Sequence, residues 1–396
     1  MSKTLLVLAA STYQMDAIRT AKRLGYRVVT TDNRPDNPGH SLADRAYGAD
    51  TTDIDAVIKI GRYEKVSGVI SPCTDVAVPT AALVARELGL VGVPPNAAGI
   101  LTDKTAFRRF LHEQGIPAPE FHVISSDTKQ MPKVSWQKSS WIIKPDFSSG
   151  SKGIFVVRND MELAERVPQS REFSPTGTVL LERFIEGHQA TCEGVLVGGR
   201  VRLSIILDRQ TAAAPYVVTT GHHIPSKLGA EALALLQERL ECIWSSLGVV
   251  DGPFDCDFVW SEGEVFLLEM TPRLGGNSIS QLLRVATGFD LVEYAVHHAC
   301  GVQSQLPNEL SIQPTAVILL GTTRSGCLCY DERELEALSS ESWVSSVALE
   351  VAHGTKVAPF INGRHRVGEA YVTANNRNYL DSRVEEFKRR LALDAK

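Results

Sequence analysis

Two acidic residues, Asp257 and Glu269, occupy the two arms of a predicted β-hairpin and are the first candidates for chemistry. If Glu262-Gly263 forms the turn, the two acids lie almost opposite one another. Cross-strand neighbours sit about 5 Å apart, and carboxylates that close repel unless a cation or a proton lies between them. Oxygen ligands suit Mg²⁺ or Mn²⁺. The pair therefore predicts a metal site, the alternative being an acid on the solvent face of each strand.

A candidate anion-binding segment follows the second acid. Arg273 comes four residues after Glu269, and Gly275, Gly276 and Asn277 follow it. A guanidinium, glycine N–H groups and a side-chain amide can together surround a negatively charged oxygen. We therefore take Arg273, Gly276 and Asn277 as candidate catalytic residues.

Two lysines and a loop of glycines and serines are candidates for phosphate binding. Lys144 ends an apolar strand just before Pro145, and a lysine there can hold a phosphate as a point charge. Residues 148–153 follow, with glycines and serines that supply N–H and O–H donors. This loop lacks the P-loop spacing and is interpreted as a flexible lid over phosphates. Lys104, at the head of a helix, would by itself be an ordinary surface lysine.

A third candidate segment is the end of a strand at Leu181-Glu182, which continues into the apolar link Arg183-Phe184-Ile185. Such a hinge can offer backbone N–H and C=O groups to the edge of an adenine. The interpretation depends on the position of the hinge between the phosphate loop and the acidic hairpin.

Several predicted elements must position these residues. The first hundred residues alternate apolar strands with amphipathic helices, which predicts a parallel, doubly wound sheet. A helix is predicted over 102–113 with Thr102 as its N-cap. Hairpins are predicted around Gly198-Gly199 and Glu262-Gly263, and the tail after residue 306 contains several strand-like runs.

Composition narrows the classes of function. The chain has 396 residues, with 41 Lys and Arg against 46 Asp and Glu, and its net charge of −5 argues against nucleic acid as the main partner. Seven scattered cysteines without a C-x-x-C pair indicate neither a disulfide framework nor a zinc site. No apolar stretch approaches the roughly 20 residues of a membrane span. We therefore expect a cytoplasmic protein that is not bound to a membrane.

These clusters, in this order, resemble the ATP-grasp family of carboxylate–amine and carboxylate–thiol ligases, especially the L-amino-acid ligases and the biotin carboxylase branch. The resemblance implies an α/β fold with an α+β core. It places an N-terminal parallel-sheet domain at 1–100 and an ATP-grasp core at 101–305. A mobile lid would cover about 118–185, and a β-rich C-terminal segment at 306–396 would pack on the core.

The resemblance also implies ATP and Mg²⁺ (or Mn²⁺) as cofactors, and it assigns residues by position. Asp257 and Glu269 would bind the metal, and Arg273 would steady an acyl phosphate. The implied nucleotide contacts are Lys104, Lys144, Ser148, Ser149, Gly150, Ser151, Gly153, Glu182, Arg183, Phe184, Ile185 and Gln189.

Two positions depart from the family pattern. Gln189 stands where the ribose-binding residue is often Glu, and glutamine can still bond a hydroxyl. Thr271 stands where an Asn usually follows the metal-binding Glu, which weakens the case for a second tightly held Mg²⁺. Asn277 could compensate for that change.

The implied activity joins a carboxylate, such as an amino acid, to an amine through an acyl phosphate, releasing ADP and phosphate. His222, His223 and Glu193 are candidates for the base that accepts the proton of the amine. The family often forms homodimers. The alternatives are activation of bicarbonate, a nucleotide-binding protein without catalysis, and a dinucleotide-dependent oxidoreductase. The last is disfavoured because the first strand leads into Ala9-Ala10-Ser11-Thr12 and not into G-x-G-x-x-G.

Overall fold

The N-terminal region contains a four-stranded parallel sheet in the order β3-β2-β1-β4. The computed structural model describes residues 3–128, 130–137 and 139–396. β1 is buried along its whole length, as expected of a strand covered on both faces. The elements are β1 (Thr4–Leu8), α1 (Met15–Arg23), β2 (Arg27–Thr31), β3 (Arg45–Tyr47), α2 (Ile54–Glu64), β4 (Gly68–Ile70), α3 (Val78–Leu88) and α4 (Pro95–Thr102). The predicted parallel α/β region is confirmed.

The start of the next helix differs from the prediction. α5 (Lys104–Glu113) follows α4 after a single residue, Asp103, so Thr102 is the last residue of α4 and not an N-cap. The Asp103 carboxylate accepts hydrogen bonds from the N–H groups of Thr105 at 2.8 Å and Ala106 at 3.1 Å. Asp is a preferred N-cap residue because its side-chain oxygens can accept hydrogen bonds from the first free N–H groups of a helix. Its negative charge also interacts favourably with the positive end of the helix dipole.

A second sheet, antiparallel and in the order β5-β8-β6-β7, lies within the segment predicted to be the lid. Its core is formed by buried side chains from the strands and from one helix. The elements are β5 (Phe121–Ile124), β6 (Trp141–Pro145), β7 (Phe155–Val157), α6 (Asp160–Arg171) and β8 (Val179–Arg183).

The largest sheet has eight strands in the order β13-β12-β9-β10-β11-β14-β18-β16. The first five come from the predicted core, and the last three come from the predicted C-terminal segment. That segment therefore extends the sheet of the core by hydrogen bonding, beginning with the pairing of β11 and β14. The elements from residue 188 onward are β9 (His188–Val197), β10 (Arg200–Thr211), β11 (Thr219–Ile224), α7 (Ala230–Leu247), β12 (Gly252–Ser261), β13 (Glu264–Thr271), α8 (Ile279–Thr287), α9 (Leu291–Ala299), β14 (Thr315–Leu320), β15 (Gly326–Cys329), α10 (Glu332–Ser339), β16 (Val344–Leu349), β17 (Lys356–Val357), β18 (Gly368–Thr373), α11 (Arg377–Leu391) and β19 (Asp394–Ala395). Of these, β17, β15 and β19 form a separate three-stranded sheet.

Apolar and polar side chains alternate along β9 and β12, so one face of this sheet is apolar and the other is polar. Cys192, Phe254 and Cys256 pack in a buried cluster with Trp244 of α7. Their neighbours in sequence point to the opposite face, because successive side chains of a strand alternate. That opposite face carries the acidic residues described below.

Among the described residues, no helix combines the length and the apolar character needed to cross a membrane. All seven cysteines are free thiols.

Candidate active site

The two predicted metal-binding acids, Asp257 and Glu269, are direct partners across the β12–β13 hairpin. The register near the turn pairs Phe258 with Leu267, so without an irregularity Asp257 would face Leu268. A bulge between Asp257 and Phe258 adds one residue on β13 and brings Glu269 opposite Asp257. The Leu268 carbonyl accepts a hydrogen bond of 2.7 Å from an Arg108 Nη atom. The bulge therefore aims Glu269 at its partner, a common use of bulges near active sites.

Cations and a hydroxyl hold these two carboxylates. Thr191 Oγ1 donates to Asp257 Oδ1 at 2.5 Å, and Arg209 Nη1 lies 3.3 Å from Asp257 Oδ2. Lys104 Nζ lies 3.2 Å from Glu269 Oε1. Burial raises the pKa of Glu269, but Lys104 and Arg273 outweigh burial and hold the pKa below its ordinary value. Glu269 is therefore ionised at neutral pH, as a metal ligand must be.

The donor set fits a hard divalent cation. It consists of carboxylate and hydroxyl oxygens, which Mg²⁺ and Mn²⁺ prefer. In the described part of the chain there is no group of three or more His, Cys, Asp or Glu residues arranged to hold a metal. A cation at Asp257 and Glu269 would therefore need further oxygen ligands, which water or a phosphate can supply.

Next to the Asp257–Glu269 pair lies a second row of polar residues on three adjacent strands, Glu193, Asp255 and Thr271, of which the sequence analysis did not identify Asp255. Burial raises the pKa of Asp255 to about 7, with a contribution from Asp257, and Arg273 opposes the rise. Burial and Asp255 together raise the pKa of Glu193 well above its ordinary value. The period-two spacing of Asp255 and Asp257 was the signal that could have revealed this row.

Arg273 is fixed between two regions of the chain. Its Nε donates to Asp75 Oδ1 at 2.9 Å, and its Nη1 lies 3.2 Å from Asp255 Oδ2. Asp75 belongs to the N-terminal region, between β4 and α3. Although burial alone lowers the pKa of Arg273, the two carboxylates raise it overall. The guanidinium is thus a permanent positive charge at a defined position.

The segment after Arg273 differs from the prediction in one respect. The Gly275 N–H donates to Glu193 Oε1 at 2.7 Å, so this amide is not available for a substrate oxyanion. A Cβ atom on Gly275 would lie 1.8 Å from the same oxygen, whereas a Cβ on Gly276 would meet no atom within 4 Å. Asn277 has φ of 52°, in the left-handed region that Asn tolerates. Gly276 and Asn277 remain the candidates.

Lys144 and Glu182 form a buried ion pair at 2.6 Å, and Arg108 Nε lies 2.6 Å from the other Glu182 oxygen. Burial raises the pKa of Glu182, but Arg108 and Lys144 outweigh it and hold the pKa at about 2. Both carboxylate oxygens therefore contact a cation, which fixes the Glu182 side chain in place. Sequence reasoning did not identify Arg108, which looks like a surface residue of an amphipathic helix.

The loop of residues 148–153, predicted to bind phosphate, is held in place from two sides. Lys104 Nζ donates to the Ser148 carbonyl at 2.8 Å, and the Gly363 N–H donates to the Gly150 carbonyl at 2.9 Å. Gly153 has φ of 71°, and a Cβ there would come within 2.9 Å of Phe173 and Pro145. The sequence here therefore requires glycine for both conformation and space.

One cavity of about 420 Å³ connects these groups, a volume typical of small-ligand sites. Of the predicted site residues, only Gly153 does not line it. The predicted residues in its wall are Lys104, Lys144, Ser148, Ser149, Gly150, Ser151, Glu182, Arg183, Phe184, Ile185, Gln189, Asp257, Glu269, Arg273, Gly276 and Asn277.

The three candidate bases are in different environments. His222 lines the cavity, and among the described residues neither of its ring nitrogens has a hydrogen-bond partner. Burial lowers the pKa of His222 to about 3, with help from Arg209, so the ring is neutral. His223 points to the opposite face and lies 3.0 Å from Asp381, away from the cavity. Glu193 is fully buried behind the cavity wall. Only His222 reaches the site.

Comparison with known proteins identifies the same architecture. A model of the ATP-grasp domain matches residues 101–277. An uncharacterized protein of Sinorhizobium fredii is 26% identical over 344 residues, covering 85% of this chain and 70% of that protein. Carnosine synthase 1 of Homo sapiens is 26% identical over 310 residues, covering 73% of this chain but only 36% of that enzyme.

Solved structures share the fold across the whole chain. The L-amino acid ligase of Bacillus licheniformis superimposes with a TM-score of 0.83 at 19% identity, covering 99% of this chain and 98% of that chain. The biotin carboxylase domain of the Hydrogenobacter thermophilus 2-oxoglutarate carboxylase, solved with MgADP and bicarbonate, gives 0.73 at 16% identity, covering 98% and 90%. The predicted fold is confirmed. Residues 101–277 therefore match an ATP-grasp domain, and the whole chain shares the fold of the solved structures named above.

Proposed function

We propose that this protein is an ATP- and Mg²⁺-dependent ligase that activates a carboxylate as an acyl phosphate and joins it to an amine. The observation that carries the proposal is the direct pairing of Asp257 with Glu269 in the wall of a cavity that also contains Lys104, Lys144 and Arg273. The cavity of about 420 Å³ is in the range of small-ligand sites, so we take the carboxylate and the amine to be small molecules. The L-amino acid ligase and carnosine synthase 1 among the similar proteins support this reaction class.

The nucleotide would lie between the hinge and the acidic pair. Backbone groups of Arg183, Phe184 and Ile185 would contact the adenine, and Gln189 would bond a ribose hydroxyl. Lys144 and the N–H groups of residues 148–151 would contact the phosphates. Glu182 then has an indirect role, because it fixes the Lys144 ammonium through the 2.6 Å ion pair.

Charge compensation is the main requirement of the first step. ATP carries about four negative charges, and an approaching carboxylate adds one, which is repulsive by several kcal/mol at an effective dielectric near 20. Mg²⁺ held by Asp257 and Glu269 would neutralise part of that charge. Lys104, whose ammonium contacts Glu269 in the free protein, would then be available to the phosphates. Positioning and charge stabilisation of this kind account for most catalysis of phosphoryl transfer.

The second step requires an oxyanion site and a proton acceptor. Arg273 carries a permanent charge, and Gly276 and Asn277 lie beside it in the cavity wall. They would stabilise the tetrahedral oxyanion that forms when the amine attacks the acyl phosphate. The neutral ring of His222 lines the same cavity, and an unprotonated nitrogen there can accept a hydrogen bond from the attacking amine and orient it.

Chemical trapping tests the proposal. With ATP, Mg²⁺ and hydroxylamine, a panel of L-amino acids supplied as carboxylates should yield a hydroxamate with stoichiometric ADP and phosphate. Glu269→Gln should abolish both while the protein remains folded by circular dichroism. Release of AMP and pyrophosphate would contradict the acyl-phosphate mechanism, and full activity of Glu269→Gln would contradict the metal assignment.

A further inference from the structure

The loop that carries Gly276 and Asn277 has a rare backbone conformation where it enters α8. Asn277 has φ of 52° and Ser278 has φ of 63°, so two consecutive residues other than glycine are left-handed. Such residues adopt this conformation seldom and at a cost in free energy. Contacts with other parts of the chain must therefore hold the two residues in place.

Ser278 is the N-cap residue of α8, yet its side chain is not used as a cap. A serine at this position ordinarily accepts a hydrogen bond from an N–H group of the first helical turn, and among the residues that the structure describes Ser278 makes no such bond. Its hydroxyl instead donates to Glu369 Oε2 and accepts a hydrogen bond of 3.0 Å from Arg366 Nη1. The side chain is thus directed away from its own helix and toward the C-terminal segment.

Three residues of the C-terminal segment surround Ser278 and are here called the Ser278 clamp: Arg366, Glu369 and Tyr371. Glu369 is the centre of the clamp, because Arg366 Nη1 lies 3.3 Å from its Oε2 and the Tyr371 hydroxyl donates to its Oε1 at 3.1 Å. Burial and the Glu369 carboxylate raise the pKa of Tyr371, so its hydroxyl keeps the proton that it donates. The Glu369 carboxylate is therefore held on both of its oxygens.

The geometry of β18 places the clamp against the start of α8. Glu369 and Tyr371 are two positions apart on this strand and therefore share one of its faces. Tyr371 packs in a buried cluster with Ile279 and Leu282 of α8, whereas Ala370 packs in a different cluster. Apolar packing thus fixes the body of the helix on β18, and Glu369 reaches the residue at its beginning.

The clamp lies behind the loop, and the candidate catalytic residues lie in front of it. Ser278 and the three clamp residues line a cavity of about 260 Å³. Gly276 and Asn277 line the larger cavity, which also contains Arg273. A bond to Ser278 therefore fixes the direction of the two preceding residues from outside the larger cavity.

We propose that Glu369 is a positioning residue for acyl transfer, which acts through Ser278 to hold the preceding loop where the tetrahedral oxyanion forms. This inference rests on the proposed ligase function and adds to it a residue of the C-terminal segment. Donors that are misplaced stabilise the transition state less, while the binding of substrates elsewhere in the cavity is unaffected. Loss of the clamp should therefore lower kcat and leave the KM for ATP unchanged.

Hydroxamate formation tests this inference without a choice of amine substrate. Glu369→Ala should lower kcat about tenfold or more and change the KM for ATP by less than about twofold. Glu369→Gln keeps an oxygen that can accept the Ser278 hydroxyl proton, and it should recover most of the lost rate. Glu350→Ala is the matched control, because it removes another acid that pairs with Arg366, and it should retain the wild-type kcat. A wild-type kcat in Glu369→Ala, or a higher KM for ATP at unchanged kcat, would overturn the inference.

A double-variant cycle separates positioning through Ser278 from any other role of Glu369. Ser278→Gly keeps the left-handed conformation accessible but removes the hydroxyl that Glu369 holds, and it should itself lower kcat about tenfold. Adding Glu369→Ala to Ser278→Gly should then lower kcat by no more than about twofold, because both changes remove the same contact.

Two results of this cycle count against the proposed role. Losses that multiply in the double variant would mean that Glu369 acts by another route and would overturn the inference. If Glu369→Ala does not fold by circular dichroism, Ser278→Gly decides, since a wild-type kcat in that variant would also overturn it. Absence of hydroxamate with the wild-type protein would instead refute the proposed function.

Discussion

Glu182→Gln should destabilise the protein, because Glu182 is the shared partner of two buried cations. The substitution keeps the size of the side chain but removes the charge that pairs with Lys144 and Arg108, both 2.6 Å away. Lowering the pKa of Glu182 from 4.5 to about 2 corresponds to about 3 kcal/mol of stabilisation. Breaking a buried ion pair typically costs about 3–5 kcal/mol, which agrees.

Thermal unfolding measures this effect. With an unfolding entropy of about 2 cal/mol/K per residue, a loss of about 3 kcal/mol lowers the Tm of a chain of 396 residues by about 4 °C. The shift is larger if a smaller unit unfolds cooperatively. Glu186→Gln, at an exposed position in the same segment, is the control and should shift Tm by less than about 1 °C. Equal Tm values for Glu182→Gln and the wild type would refute the assignment of Glu182 as the anchor of Lys144.

The pH dependence gives an independent check on the same residue. Because the folded-state pKa of Glu182 is depressed, its stabilisation is complete above its ordinary pKa of 4.5 and is lost as pH falls toward 2. The difference in Tm between wild type and Glu182→Gln should therefore be largest near pH 7 and smaller at about pH 3.5. A difference that grows on acidification would contradict this sign.

Three further substitutions test the acyl-transfer end of the site. Gly275→Ala should reduce kcat at least tenfold, because its Cβ would lie 1.8 Å from Glu193 Oε1. Gly276→Ala is the control, since a Cβ there has free space, and this variant should retain most activity. Comparable kcat values for the two variants would refute the packing argument. His222→Gln should lower kcat for amide formation by about a hundredfold and leave hydroxamate formation with hydroxylamine largely intact. Assays of the amide and of the hydroxamate measure the two rates separately. An equal loss of both activities would assign His222 to the first step or to the fold.

Much of the site could be predicted from the sequence, because strand alternation and a short hairpin turn determine which side chains meet. The pairing of Asp257 with Glu269 follows from the turn to within one residue, and the bulge at Leu268 supplies the remaining shift. The lysine at the end of β6 was recognisable because charged residues rarely close an apolar strand.

The residues that sequence reasoning missed act across long separations in the chain. Asp75 holds Arg273 although 198 positions separate them, and Arg108 reaches the Leu268 carbonyl over 160 positions. No local pattern predicts which buried cation such an acid will meet. The sequence also does not show that the Gly275 N–H is already bound to Glu193, because Glu193 lies 82 positions away on another strand. Electrostatic partners of this kind become visible only when the strands are placed side by side.

The central claim is that Asp257 and Glu269 together hold a divalent cation against a nucleoside triphosphate. Electron paramagnetic resonance of Mn²⁺ tests it directly, using the full-length protein and a non-hydrolysable ATP analogue. We predict tight Mn²⁺ binding that requires the nucleotide and is at least tenfold weaker in Asp257→Asn and in Glu269→Gln. Glu262→Gln, in the exposed turn of the same hairpin, should bind Mn²⁺ as the wild type does. Undiminished Mn²⁺ affinity in both acid variants would contradict the claim.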